Sequence, residues 1–149
     1  MLALNLPPCP LKIIKRDEKP YVFDILRKRY VALTPEEWVR QNFTHFLIEH
    51  KGYPTALLAN EVSLNLNGTS KRCDSVLYNS TAKPRMIIEF KASHIELTQK
   101  VFDQISRYNM ALHVDYLIVS NGLQHYCCRM NYETLTYSFL PHIPHYSEL

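Results

Sequence analysis

The pattern of apolar and polar positions predicts a first helix after the sequence TPEE. Thr34 is a typical N-cap residue, Pro35 suits the first turn, and Glu37 occupies the capping-box position. Apolar residues then recur at helical spacing, namely Val39, Phe43, Phe46 and Leu47. Gly52 is a typical residue to follow the last turn, so the helix should end there.

A second stretch with helical periodicity runs over about residues 96–112. Its apolar stripe consists of Leu97, Val101, Ile105, Tyr108 and Leu112. Either Ser93 with Glu96, or Thr98 alone, caps the start of this helix. Gln104 lies at the edge of the stripe, so we expect it to approach the sheet on which the helix packs.

Alternation of apolar and polar residues predicts strands between and after the two helices. These strands cover residues 60–66, 71–78, 85–91, 116–120, 124–130 and 134–139. Asn67-Gly68 favours a two-residue hairpin turn between the first two strands. Residues 1–20 indicate an extended arm or an edge strand, and residues 21–33 indicate either a strand at 21–24 or a short helical turn.

The predicted order is helix, three strands, helix and two strands, with residues 134–139 as a further last strand. Hairpins first and a crossover helix later predict an α/β (α+β) fold of order αβββαββ, with a mixed central sheet flanked by helices. The 149 residues fit one domain, with residues 1–20 as an N-terminal arm and residues 140–149 as a C-terminal tail.

Composition and charge narrow the classes of function. The net charge of +3 permits an anionic partner without demanding one. Basic residues are concentrated within residues 12–16 and 27–29, which form either solvated surface or phosphate contacts. The chain has only 3 glycines, and neither a P-loop nor a dinucleotide-binding motif occurs in it.

The cysteines and the apolar segments indicate a cytoplasmic protein with no membrane association. Two of the 4 cysteines are the neighbours Cys127 and Cys128, which rarely bridge each other, and no CxxC pair occurs. No apolar run approaches the roughly 18 residues that a membrane-spanning helix needs.

Charged residues on two neighbouring strands are the candidate chemistry. Glu89 and Lys91 are two residues apart and share one face of their strand, while Asp74 lies on the preceding strand. We expect Asp74 to share a face with Arg72, Val76 and Tyr78. Two carboxylates and an ammonium on one face are costly to bury unless they are paired or bind a metal.

Phosphodiester hydrolysis is the chemistry that suits these residues. Asp74 and Glu89 offer the hard oxygen ligands that Mg²⁺ or Mn²⁺ prefers. Lys91 would orient the attacking water or offset the charge that develops on the phosphate. The alternative is a structural network of ion pairs on a solvated face.

Two further pairs, each spaced by one helical turn, have two interpretations. Gln104 and Tyr108 either reach the metal site or a DNA phosphate, or they are boundary residues bonded to backbone or water. Glu36 and Arg40 form either an exposed ion pair beside the capping box, or a site in which Glu36 is a third acid beside the metal.

The stretches around these residues resemble a known family. They are LTPEEWVRQ, KRCDSVLY, MIIEFKA, FDQISRYN and YLIVSNGLQHY, within about residues 22–130. In this order they resemble the N-terminal nuclease domain of type I restriction enzyme R subunits, which belongs to the PD-(D/E)xK phosphodiesterase superfamily. The order of the blocks makes the resemblance more specific than a bare D…ExK motif.

The resemblance implies a restriction-endonuclease-like αβββαβ core and magnesium-dependent cleavage of double-stranded DNA in a restriction-modification system. By position, the implied catalytic residues are Asp74, Glu89, Lys91, Gln104 and Tyr108. Glu36 or Glu37 matches the first-helix acid of the family, and Cys73 stands where a proline commonly precedes the catalytic aspartate.

The resemblance also implies partners. R subunits join this domain to an ATP-driven translocase and act with methylation and specificity subunits. Because no motor motif occurs in this sequence, we expect regulated restriction to depend on such partners. The alternative function is a non-catalytic DNA- or protein-binding module on the same fold.

Overall fold

A computed structural model describes residues 2–66 and 68–149. Its regular elements are β1 (Ile13–Arg16), β2 (Lys19–Asp24), β3 (Arg29–Ala32), α1 (Pro35–Lys51), β4 (Leu58–Leu66), β5 (Thr69–Tyr78), β6 (Pro84–Phe90), α2 (Gln99–Met110), β7 (Tyr116–Ser120), β8 (His125–Asn131) and β9 (Thr136–Phe139). From α1 onward this order confirms the predicted αβββαββ arrangement, with β9 as the further strand. The turn predicted at Asn67-Gly68 includes Asn67, which lies outside the described residues.

The central sheet has the strand order β4-β5-β6-β7-β8-β9. All neighbours in it are antiparallel except β6 and β7, which are parallel. A parallel pair needs a crossover connection, and α2 supplies it. The predicted mixed central sheet with flanking helices is therefore confirmed.

Residues before α1 form a separate antiparallel sheet in the order β1-β2-β3. Residues 21–24 are in a strand, so the alternative of a helical turn there is wrong, and residues 13–16 form an edge strand. The turn between β1 and β2 places Asp17 and Glu18 at positive φ. The sequence analysis did not predict that three strands pair here.

Helix α1 begins and ends as predicted, but its first turn differs. The Thr34 hydroxyl accepts a hydrogen bond from the Glu37 amide at 3.1 Å, and Gly52 ends the helix at φ 72°. The carboxylate of Glu37 turns to Arg27 and Arg40 instead of completing a capping box. The predicted exposed pair of Glu36 with Arg40 is therefore wrong, because Arg40 is buried and bound to Glu37.

Helix α2 is capped by Thr98, whose hydroxyl accepts from the Val101 amide at 3.2 Å. Its buried residues are Phe102, Ser106 and Asn109. Of the predicted apolar stripe, Leu112 is buried in the core under α2, Leu97 and Ile105 pack partly buried against it, and Tyr108 is exposed. The Phe102 ring contacts aromatic rings of β8 and β9, namely Tyr126, Tyr137 and Phe139. These contacts turn the helix so that Tyr108 is 49% exposed.

The helices cover opposite faces of the central sheet. The core under α1 includes Val39, Phe43, Leu47, Leu77, Met86, Ile88 and Phe90. The core under α2 includes Cys73, Val76, Ile87, Phe102, Leu117, Val119 and Cys128. Residues after β9 return to the α1 side, where Ile143 is buried and Tyr53 donates to the Pro144 carbonyl at 3.0 Å. Neither helix of the described chain has the length and apolar character needed to cross a membrane.

Candidate active site

Strand β5 changes face at Asp74. Asn60 pairs with Ser75 and Val62 pairs with Cys73, while Glu61 between them has φ 56°. Cys73 and Val76 both pack into the core under α2. In a regular strand, residues three apart point to opposite faces, so this arrangement requires a switch between them.

The switch corrects one prediction about the site. Arg72, Asp74, Val76 and Tyr78 do not all share a face. Val76 and Tyr78 pack on the α2 side, whereas Arg72 bonds the Glu61 carboxylate at 2.8 Å on an exposed surface. Lys71 consequently points toward α2, where its ammonium lies 3.3 Å from the Asn109 side-chain oxygen.

The carboxyl groups of Asp74 and Glu89 lie together on adjoining strands. The Phe90 amide donates to the Asp74 carboxylate at 2.8 Å, which draws the Asp74 side chain toward β6. The nearby charge of Asp74 raises the pKa of Glu89. Glu89 is only 8% exposed, so its carboxyl group lies largely out of water.

Glu89 is therefore an acid that titrates near neutrality. Burial raises its pKa most, and the neighbouring Asp74 raises it further. The ammonium of Lys71 opposes both effects, and the resulting pKa is about 7. The positive charge near Asp74 and Glu89 is therefore too small for both carboxyl groups to be ionised without a cost in free energy.

Lys71 is the residue of the site that the sequence analysis missed. Its ammonium forms an ion pair with Glu89 and lies 5.3 Å from the centre of the Tyr108 ring. Regular alternation along β5 would have placed Lys71 on the face opposite Asp74. The one available signal was its place three residues before Asp74 in the KRCDSVLY block.

Lys91, Gln104 and Tyr108 line one groove between the sheet and α2. The groove encloses about 620 Å³ and is also lined by Lys71. The Lys91 amide continues the pairing of β6 with β7 through a 2.9 Å hydrogen bond to the Ser120 carbonyl. Gln104 is exposed in this groove rather than packed on the sheet, and the Tyr108 hydroxyl donates to the Ser70 carbonyl at 3.3 Å.

Asp74 lines a different cavity, which lies on the α1 side and encloses about 520 Å³. Arg40 donates to the Asp74 main-chain carbonyl at 2.8 Å and pairs with Glu37 at 2.7 Å and Glu61 at 2.8 Å. Burial alone would raise the pKa of Glu37, but hydrogen bonds from Arg40 and Gln41 hold it below its ordinary value. Arg40 thus fixes the backbone from which Asp74 projects.

The two acids of the first turn of α1 have different surroundings. Glu37 is buried and bound by arginines, whereas Glu36 is exposed and lines the same cavity as Asp74. In residues 2–66 and 68–149, no three His, Cys, Asp or Glu side chains come together as a metal-holding group. The site described here is thus a pair of carboxylates, and Glu36 as a third metal ligand stays a prediction.

Comparison with known proteins identifies the family. The family model described as type I restriction enzyme R protein N terminus matches residues 35–144. The chain belongs to this family. The match begins at α1 and contains Asp74, Glu89 and Lys91, while β1, β2 and β3 precede it.

Other comparisons are more distant. No curated protein matches this chain. Among solved structures, a chain in a cryoEM structure of a DrdV–DNA complex is similar, with a TM-score of 0.45 and 20% identity. The similarity covers 71% of this chain and 10% of that chain.

Proposed function

We propose that this domain is a metal-dependent endonuclease that hydrolyses phosphodiester bonds of double-stranded DNA. The observation that supports this most is the placement of Asp74 beside Glu89, where the Asp74 carboxylate accepts a hydrogen bond from the Phe90 amide at 2.8 Å. Lys91 follows two residues after Glu89 and lines the adjoining groove. Family membership supports the same class of function.

The donor atoms fit a hard divalent cation. Mg²⁺ is usually held by one or two carboxylates, with water or substrate phosphate completing its ligands. Asp74 and Glu89 would hold Mg²⁺ or Mn²⁺, with Glu36 as a further ligand on the α1 side. Bound there, the cation would polarise a phosphate oxygen and make a water molecule more acidic.

The surrounding side chains would prepare these residues for the reaction. The Phe90 amide and Arg40 hold Asp74 in place through its carboxylate and its carbonyl. Lys91 would orient the attacking water or offset the charge that builds on the phosphate. Gln104 and Tyr108, in the same groove, would contact the phosphate backbone of the substrate.

One observation favours a second candidate function. The Lys71 ammonium already pairs with Glu89, so the carboxyl pair is partly neutralised by the protein itself. A domain with this arrangement would bind DNA or a protein partner on the same fold without cutting. A DNA-cleavage assay distinguishes the two functions directly.

The wider setting of this function is part of the proposal. In a restriction-modification complex, the domain would act beside a translocase and with methylation and specificity subunits, in the cytoplasm. Its cleavage activity would then depend on those partners for regulation.

A plasmid-cleavage assay with Mg²⁺ or Mn²⁺ tests the proposal. We expect the wild-type domain to nick or linearise DNA. Lys91→Ala should abolish cutting, because it removes the ammonium that would orient the attacking water or offset the charge on the phosphate. Lys83→Ala, which removes an exposed charge outside the groove, is the matched control and should cut normally. Cutting by Lys91→Ala would remove this lysine from the mechanism, and metal-independent DNA binding without cutting would favour the binding module.

A further inference from the structure

The positive charge of the chain is concentrated before α1. Residues 12–29 contain seven of the 17 Lys and Arg residues and three of the 14 Asp and Glu residues, which gives this segment a net charge of +4. The whole chain has a net charge of +3, so the remainder is slightly negative. The basic residues are Lys12, Lys15, Arg16, Lys19, Arg27, Lys28 and Arg29.

Some of these basic residues lie on one face of the β1-β2-β3 sheet. Val22 is fully buried, so its neighbours Tyr21 and Phe23 point to the opposite side of β2. Phe23 pairs with Tyr30 across β2 and β3, which places their rings 5.3 Å apart. We call this outward side the basic sheet face, and it consists of Lys12, Arg16, Lys19, Tyr21, Phe23 and Tyr30.

Cations cover the aromatic rings of the basic sheet face. The Lys12 ammonium lies 5.7 Å from the Phe23 ring centre. The Arg16 guanidinium lies 5.8 Å from the Tyr21 ring and 5.5 Å from the Tyr30 ring. Such contacts restrain long basic side chains, so less freedom is lost when they bind an anion.

Among residues 2–66 and 68–149, no salt bridge joins an acidic side chain to Lys12, Arg16 or Lys19. Asp24 is buried on the other side of β2, where Arg27 and Asn60 bind its carboxylate. Asp17 and Glu18 lie in the exposed turn at the end of β1. Lys12, Arg16 and Lys19 are themselves exposed, so their charges are available to a partner.

The basic sheet face leads to the candidate active site. Tyr21 and Tyr30 line the cavity of about 520 Å³ on the α1 side. Arg40 and Asp74 line the same cavity. An extended anion that crosses the sheet face would therefore be directed toward the carboxyl pair.

We propose that the basic sheet face binds the sugar–phosphate backbone of DNA beside the cleavage site. Exposed cations on one sheet face suit a polyanion, and phosphate contacts dominate the affinity of DNA-binding proteins. The segment precedes the residues that the family model matches, so this contact lies outside the matched residues. The choice of DNA as the partner rests on the proposed function.

Fluorescence anisotropy with a labelled DNA duplex in EDTA measures this binding without cleavage. The test variant is K12Q/R16Q, and the matched control is K83Q/R129Q, which removes two exposed charges from elsewhere on the surface. We expect K12Q/R16Q to weaken binding about tenfold and to reduce the slope of log K against log salt by about 2, because each lost phosphate contact lowers it by about 0.9. K12R/R16K keeps both charges and should restore both values.

Three results would overturn the proposal. They are equal affinity and salt slope for K12Q/R16Q and its control, weak binding by K12R/R16K, and no DNA binding by the wild type at low salt. Cleavage is measured separately on the same proteins. A domain that shows the predicted salt dependence but never cuts with Mg²⁺ or Mn²⁺ refutes the nuclease proposal and leaves the basic sheet face as a DNA contact.

Discussion

Glu89 lies between two opposite charges, the carboxylate of Asp74 and the ammonium of Lys71. Its raised pKa means that ionisation is harder in the folded protein than in the unfolded chain. The stability that Glu89 contributes is therefore fully present below its unfolded pKa, near 4.5, and is lost as the pH rises through about 7.

We predict that Glu89→Gln removes this pH dependence. In EDTA, the free energy of unfolding of the wild type should fall relative to that of the variant between pH 5 and pH 8. The expected change is about 3 kcal/mol, from the shift to a pKa of about 7. Urea unfolding at the two pH values measures it, and parallel curves for both proteins would show that the carboxyl pair does not titrate as described.

At the residue scale, the sequence predicts the candidate acids of the site better than it predicts the side chains that contact them. The spacing of Glu89 and Lys91 and the antiparallel pairing of β5 with β6 follow from alternation and a short connection. The ion pair of Lys71 with Glu89 does not follow, because it depends on the switch of face beside Glu61. A glutamate at φ 56° within a strand has no marker in the sequence.

At the scale of elements, α2 shows how periodicity finds a helix and still misses its most buried ring. Leu97 and Ile105 pack partly buried against the core under α2, as their spacing predicts, while Val101 lines the groove. Phe102 is more deeply buried, because its partners come from β8 and β9. Those contacts are distant in sequence and are not visible to a local pattern.

We predict a large difference between two substitutions on α2. Phe102→Ala should lower the free energy of unfolding by about 3–5 kcal/mol, because it removes a buried ring from the core under α2. Gln104→Ala, two residues away and exposed, should change it by less than about 0.5 kcal/mol. Urea unfolding measures both, and similar effects would show that the Phe102 ring does not carry the packing of α2 on the sheet.

At the scale of the molecule, the order of elements from α1 onward follows from the sequence, and the N-terminal sheet does not. Strands β1 and β3 have only 4 residues each, which is too short for a clear alternation. Their pairing is stabilised by contacts to the rest of the chain. Arg27 joins Asp24 of β2 to Glu37 of α1, with a distance of 2.8 Å to Glu37.

We predict that Arg27→Met destabilises the fold by about 3 kcal/mol, because it leaves the buried carboxylate of Asp24 without its ionic partner. Lys28→Met, at the next and exposed position, is the matched control and should change stability by less than about 0.5 kcal/mol. Thermal or urea unfolding provides the comparison. Equal stabilities would show that the N-terminal sheet is not tied to α1 through this arginine.

Binding of a divalent cation by the Asp74–Glu89 pair is the most direct measurement of the proposed chemistry, since it does not depend on any partner subunit. Titration of Mn²⁺ into the protein, followed by electron paramagnetic resonance of the free ion, should reveal a site in the wild type. That site should be lost in Asp74→Asn and kept in Asp115→Asn, an exposed acid outside the pair. Equal Mn²⁺ binding by the wild type and Asp74→Asn, or no binding by the wild type, would contradict a metal-dependent nuclease site at these residues.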